Sequence, residues 1–194
     1  MTTFESALKK YLAIFADQEM YFVNDTRNLE LYKANPSNKN ADEIRTKISA
    51  IGDDPEIQQL PNVEELITHI QNLKIDNRLQ RGDLALVEDI AHLSVQGQSQ
   101  NLLRFASMYC NLHRPDIFPI YSDQHLDFYR QYIKQNNLAL DPEKLNTYSV
   151  FSAALNDLIT RLGLKGKMNY LQLRKFGWLY IEHVMKEAGE PVAK

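Results

Sequence analysis

A chain of 194 residues, 44% hydrophobic and 24% charged, lies in the ordinary globular range and has enough apolar side chains to bury a core. Its net charge of −3 speaks against a dedicated nucleic-acid coater. No apolar run approaches the ~20 residues that span a bilayer, and MTTFESALKK lacks the regions of a signal peptide, so a cytoplasmic protein without a membrane partner is expected.

Thr2 and Glu5 form a capping box. It opens a helix that places Phe4, Leu8, Tyr11, Leu12 and Phe15 on one stripe. The helix is expected to stop around Asn24-Asp25-Thr26, with a short segment following through Leu29, Leu31 and Tyr32. The polar cluster from Asn35 to Asn40 reads as a loop. Asn40, with Glu43 three positions on, starts a helix carrying Ile44, Ile48 and Ile51. Gly52 would close that helix in the left-handed conformation, and Asp54-Pro55 would prevent its continuation.

Asn62 caps an amphipathic helix through Val63, Leu66, Ile67, Ile70 and Leu73, and the next carries Leu84, Val87, Ile90 and Ala91. Gly97 to Gln100 breaks the pattern before a mostly apolar helix from Asn101 to about Leu112. Pro115 and Pro119 forbid helix through the connection that follows. Ser122 or Asp123 caps a helix with Leu126, Tyr129, Tyr132 and Ile133, and Asp141-Pro142 is a cap with proline at the first helical position. A helix over 149–162 would bury Val150, Leu155, Leu158 and Ile159 and end at Gly163. A last one, over 169–186, would turn Leu173, Phe176, Tyr180, Ile181 and Val184 inward.

No run of period-two alternation is long enough for a strand. The reading is one compact all-α domain of about eight to ten helices. Charge divides it: residues 1–95 carry 10 basic against 16 acidic side chains (−6), and residues 96–194 carry 12 against 9 (+3). A polyanion would therefore meet the C-terminal half. The lone Cys110 cannot form an internal disulfide, which suits a reducing compartment, and it reads as a small core residue.

Residues with chemistry concentrate between Arg104 and Leu126. Arg104-Phe105-Ala106 stands 19 positions before Asp123-Gln124-His125-Leu126, across a proline-containing connection. This stretch resembles the core of the helix–hairpin–helix DNA glycosylases, in which a hairpin ending in Lys-Thr-Ala or Lys-Val-Ala opens an apolar helix and an Asp-x-His-Val motif opens the next. The resemblance covers about 25 of 194 residues. It implies that Asp123 matches the catalytic aspartate, which stabilises positive charge developing on the sugar, and that His125 matches a histidine near the backbone-binding end. Arg104 falls where bifunctional members carry lysine. A guanidinium stays protonated and cannot attack as an amine, so only water-using, single-function excision would remain. Gln100 and Leu102 occupy the places of the family's hairpin glycines. The segment also resembles a bacterial pattern F-A-S-K-Y-x-x-x-H-x-P-x-x-F-P-I-Y-D-S, with Met108 in place of the lysine and Ser122-Asp123 inverted.

The other candidates each have a bland alternative. Asp123 serves equally as a helix cap. Arg104 and Arg114 either hold phosphate or pair with Asp116 and nearby carboxylates. Tyr109, Tyr121, Phe128, Tyr129 and Tyr132 form an aromatic cluster of the kind found in cores; Tyr121, in the connection, is placed to stack on an unstacked base. Lys165 and Lys167, near the Gly163–Gly166 turn, would hold phosphate or be solvated. His113, Asp116, Asp123 and His125 match no closed metal motif, and no cofactor signature is present. The leading expectation is a DNA-binding, glycosylase-like protein. Its rival is a non-catalytic helical module for a protein partner or small anionic ligand.

Overall fold

The computed structural model describes residues 6, 9, 10, 13, 23–52, 54, 57, 60, 62–95, 98–135 and 142–179. The Thr2 cap with its apolar stripe, Gly97, Asp141 and the final helix beyond Leu179 lie outside the described residues. The fold is all-α, as the periodicity implies, with nine α-helices among the described residues. The chain groups into two compact units, one over 24–121 and one made of 1–23 with 122–194.

The 24–121 unit contains α1 (Val23–Ala34), α2 (Ala41–Ile51), α3 (Val63–Leu73), α4 (Asp76–Arg81), α5 (Ala85–Ala91), the strands β1 (His92–Val95) and β2 (Gln98–Asn101), and α6 (Leu103–His113). Asn40 and Asn62 cap as their positions imply. Asn40 Oδ1 accepts the Asp42 amide at 2.8 Å and Asn62 Oδ1 accepts the Glu64 amide at 3.1 Å. Asn24, Asp25 and Thr26 do not end a helix. They belong to α1, whose first turn suits acidic Asp25 because it meets the positive end of the helix dipole. Gly52 closes α2 in the right-handed conformation, at φ −65°, with its N–H donated to Ile48 O and Ser49 O. A left-handed residue, Lys74 at φ 49°, closes α3 instead.

The absence of strand is corrected by a short antiparallel hairpin, in which His92 pairs with Asn101 and Val95 with Gln98. Four-residue strands are too short for alternation to register. The ladder is extended where Leu102 donates its N–H to Ala91 O at 2.9 Å, and Leu93 faces the core.

Around α6 the unit closes, with α5 and α2 against it and α3 behind them. Leu103 and residues 105–112 of α6 are all buried, so it is enclosed on every side. Arg78 fastens α4 to α5 through Asp83 and Asp89, each at 2.7 Å, and Arg45 links α2 to Glu64 of α3 at 2.8 Å. Between α4 and α5, Gly82 sits at φ +69°, where an added Cβ would lie 3.0 Å from Ile117 Cγ2. Gly163 has a similar φ of +64° with open space around it. Gly82→Ala should therefore cost about 2 kcal/mol and Gly163→Ala about 1, the excess coming from Ile117. Urea unfolding of the two variants checks this, and equal losses would show that the contact is relieved without cost.

The other unit contains α7 (Asp123–Gln135), a 3-10 turn (Pro142–Asn146), α8 (Tyr148–Arg161) and α9 (Tyr170–Leu179). Ser122 caps α7, its Oγ accepting the His125 amide at 3.2 Å. Helices α7 and α9 meet where Gly177 lets Phe128 approach, and Phe128 stands edge-on to Phe176 with centroids 5.6 Å apart. Leu155, Leu158 and Ile159 are buried as their spacing implies, but Val150, expected inside, is 43% exposed. It shares the first turn of α8 with exposed Ser149, while Tyr148 and Phe151 take the inner face.

Candidate functional site

The central stretch keeps its sequence order but resolves into two environments. In the 24–121 unit, Arg104 is half-buried in the first turn of α6 and Tyr121 is half-buried in the connection. One residue joins their backbones. The Ser107 hydroxyl donates to Arg104 O at 2.9 Å and accepts the Tyr121 N–H at 2.9 Å. One turn on, Asn111 Nδ2 donates to Phe118 O at 2.7 Å. Among the described residues Asn111 Oδ1 has no hydrogen-bond partner, a state that costs about 1–3 kcal/mol in a buried group. Arg114, at the far end of α6, donates from Nη1 to Gln80 O at 2.9 Å; this contact stands where the sequence suggested pairing with Asp116.

In the other unit Asp123 is exposed in the first turn of α7, whereas the His125 side chain is wholly buried. The His125 ring packs 6.2 Å from that of Phe151, and a ring enclosed there presents nothing to a phosphate at the surface. The backbone-contacting role that the resemblance implies for His125 does not fit this placement. Lys165 and Lys167 are both exposed in the turn between α8 and α9, which Gly163 and Gly166 close at φ +64° and +76°. A reciprocal capping box fastens the start of α9: Asn169 Oδ1 accepts the Gln172 amide and Gln172 Oε1 accepts the Asn169 amide, both at 2.9 Å. With those amides taken, anion binding at this turn would draw on lysine charge more than on backbone N–H groups. Of the aromatic cluster, Tyr109, Phe128, Tyr129 and Tyr132 are core, and Tyr121 is more exposed.

The most connected polar group among the described residues was not evident from the sequence. Lys47 lies on the apolar face of α2, three residues after Ile44, and is fully buried. Its Nζ donates to Asn38 Oδ1 at 2.6 Å, Ser37 O at 2.8 Å and Asn35 O at 3.1 Å. Asn38 Oδ1 also accepts the Tyr109 hydroxyl at 2.5 Å. Asn38 Nδ2 donates to Asp76 Oδ1 at 2.9 Å and faces His113 Nε2 at 3.4 Å, which makes that nitrogen the acceptor. The Tyr32 and Tyr109 rings flank Nζ at 5.8 and 5.7 Å, within cation–π range.

Burial pushes the Lys47 ammonium down to about 8, opposed by Asp76 and Glu43. It stays protonated at neutral pH with an acceptor for each N–H, so it has no lone pair to act as nucleophile or base. The hub is architectural: it pins the loop of residues 35–38 to α2, α4 and α6. Burial first, and then the Lys47 charge, depress His113 to about 3. Burial raises the Cys110 thiol, so it is not reactive at neutral pH. The one signal available in the sequence was a lysine at helical spacing within an isoleucine stripe.

Between α3 and β1 lies an open cleft of about 420 Å3, lined in part by Glu64, Glu65, His69 and Ser94. Its two glutamates make it an unsuitable seat for a polyanion. No group of three or more His, Cys, Asp or Glu side chains placed to hold a metal ion occurs among the described residues. None of the described helices is long and apolar enough to cross a membrane.

Comparison with known proteins adds kinship without chemistry. The chain is 33% identical over 109 residues to a Haemophilus influenzae protein described as "Uncharacterized protein". The match covers 54% of this chain and 53% of that protein, so the chain spans about half the length of this curated relative. No solved structure matches the chain. Residues 7–117 match the family described as HI_0787_N, N-terminal domain, a span that includes the Lys47 hub, the hairpin, Arg104 and Arg114 but ends before Tyr121 and Asp123. Because that match covers more than half of the sequence, the chain belongs to the HI_0787_N family.

Proposed function

We propose that this chain binds DNA through its basic C-terminal half, on a helix–hairpin–helix glycosylase-like core with Asp123 as the carboxylate of a single-function N-glycosidic hydrolysis. The observation that carries the binding reading is the pair of exposed lysines, Lys165 and Lys167, in one glycine-closed turn, without an acidic partner among the described residues. The neighbouring Arg161 is engaged by Asp157 at 2.6 Å, whereas the two lysines of that turn are exposed. Phosphates would displace counterions there, so affinity would fall with salt. In the hydrolysis, the C1′–N bond breaks and the base leaves with its electron pair; water then forms the C1′–O bond, and the proton it releases passes to the departed base. The Asp123 side chain steadies the oxocarbenium-like charge between the two events. Within the 24–121 unit by itself, the Arg104 guanidinium offers charge to a phosphate and the Tyr121 ring offers a face to an unstacked base.

A Lys165→Ala, Lys167→Ala double variant should flatten the slope of log affinity against log salt by about 1.4–1.8, the value for two lost phosphate contacts. In parallel, Asp123→Asn should abolish base release while leaving binding in place. An unchanged slope would remove the lysine turn from the interface, and undiminished base release would remove the carboxylate from the chemistry. A second reading, a non-catalytic module for a protein or small anionic ligand, is favoured by two observations. The His125 ring is enclosed, and the hairpin carries Gln100 and Leu102 where glycines would let backbone approach phosphate.

A further inference from the structure

We infer that Ser107 and Asn111 are positioning residues. They stand one turn apart on α6 and hold the proline-containing segment 118–121 against that helix, so that the backbone of Tyr121 is fixed relative to that of Arg104. The inference rests on the DNA-binding reading for its function, though not for its geometry. The segment Phe118-Pro119-Ile120-Tyr121 belongs to no helix and lies outside the β1–β2 sheet. Irregular backbone enclosed by protein needs partners for its polar groups. Here α6 side chains serve where a neighbouring strand would: Asn111 Nδ2 donates to Phe118 O, and Ser107 Oγ accepts from Tyr121 N.

Residues four apart on a helix lie one above the other, so Ser107 and Asn111 meet the segment from the same face of α6. Both side chains are fully buried in a helix that is otherwise apolar over this stretch. Asn111 makes the point most clearly. Its amide serves Phe118 through nitrogen alone while its oxygen has no partner among the described residues, so the bond to Phe118 is what the side chain contributes. Ser107 does more than fasten the segment. By donating to Arg104 O while accepting from Tyr121 N, it ties the backbones that carry a cation and an aromatic ring.

The test combines amide hydrogen exchange with binding of labelled oligothymidylate by the full chain. In Ser107→Ala, the Tyr121 amide should exchange at least about tenfold faster, while the Ala106 amide, bonded to Leu102 O within α6, keeps its protection. Unchanged protection at Tyr121 would overturn the proposal. Ser107→Cys, similar in size but a weak acceptor, should fall between the two and covers the case in which the alanine variant does not fold. Oligothymidylate affinity should drop about tenfold in Ser107→Ala and less than about twofold further when the same change is made in Tyr121→Leu, because the serine acts through the tyrosine. Equal losses in both backgrounds, or none in either, would overturn the positioning role. If the wild-type chain fails to bind while Tyr121 protection still falls in Ser107→Ala, the DNA reading fails and the strap stands.

Discussion

Lys47→Met should destabilise the protein by about 3–5 kcal/mol, against a change within about 0.5 kcal/mol for Lys39→Met on the surface. Methionine keeps most of the stem volume, so little of the loss would come from a cavity. The loss comes from the acceptors. Asn35 O and Ser37 O would lose the ammonium that serves them, and Asn38 Oδ1 would keep only Tyr109. A carbonyl left without a donor costs up to about 1–3 kcal/mol, toward the lower end for the part-buried Asn35 O and Ser37 O, and the apolar gain of one thioether offsets a fraction of that. Urea unfolding followed by circular dichroism measures the difference. A loss below about 1 kcal/mol would mean that water replaces the ammonium and that the hub does not hold the loop.

The second large effect is acid lability centred on His113. In the fold its Nε2 faces the Asn38 amide as acceptor, and its ring stacks edge-on to Tyr32 at 4.9 Å and tilted on Tyr109 at 5.4 Å. The facing groups of neighbouring elements are Lys47 on α2, Tyr32 on α1 and, through Asn38, Asp76 on α4. Adding a proton there sets an N–H against an N–H and a cation beside the Lys47 ammonium. The folded-state value of about 3 lies below the ordinary histidine value of 6.5. Between those two points the unfolded chain binds the proton and the folded chain does not. Stability from this group is therefore complete above pH 6.5 and declines as pH falls toward 3. By pH 4.5 the loss should reach about 2 kcal/mol, allowing for partial exposure of the ring. His113→Phe keeps a ring but cannot titrate, so its deficit relative to wild type should shrink or reverse between pH 7 and 4.5. Parallel pH profiles for the two proteins would contradict the assignment.

Much of the helical layout was legible because it rests on local chemistry. Asn40 and Asn62 announce their helices through short side chains that accept free N–H groups, and the isoleucine and leucine stripes of α2, α3 and α8 mark their buried faces. Pro115 and Pro119 fixed the connection. What escaped depended on contacts distant in sequence. The β1–β2 hairpin is carried by backbone pairing and one buried leucine, and a polar Gln98-Ser99-Gln100 run gives no alternation to read. Val150 lies on the solvent side of α8 by a rotation that Tyr148 and Phe151 decide. Lys47 is matched by an asparagine nine residues away and a tyrosine hydroxyl that joins through that asparagine from α6, a pairing that only the folded chain creates. Of the candidate site, Asp123, Lys165 and Lys167 lie at the surface where a ligand could reach them, and His125 faces inward because its helix buries that side against Phe151.

The most direct measurement is the affinity of the full chain for labelled single-stranded and duplex DNA as salt rises from about 50 to 200 mM. Binding that weakens linearly in log–log form, with about −1.4 to −1.8 of the slope coming from the two lysines of the α8–α9 turn, is the expected result. Absence of binding at the lowest salt, or an affinity indifferent to salt, would contradict the DNA reading and leave the rival, a helical module for a protein or small anionic ligand.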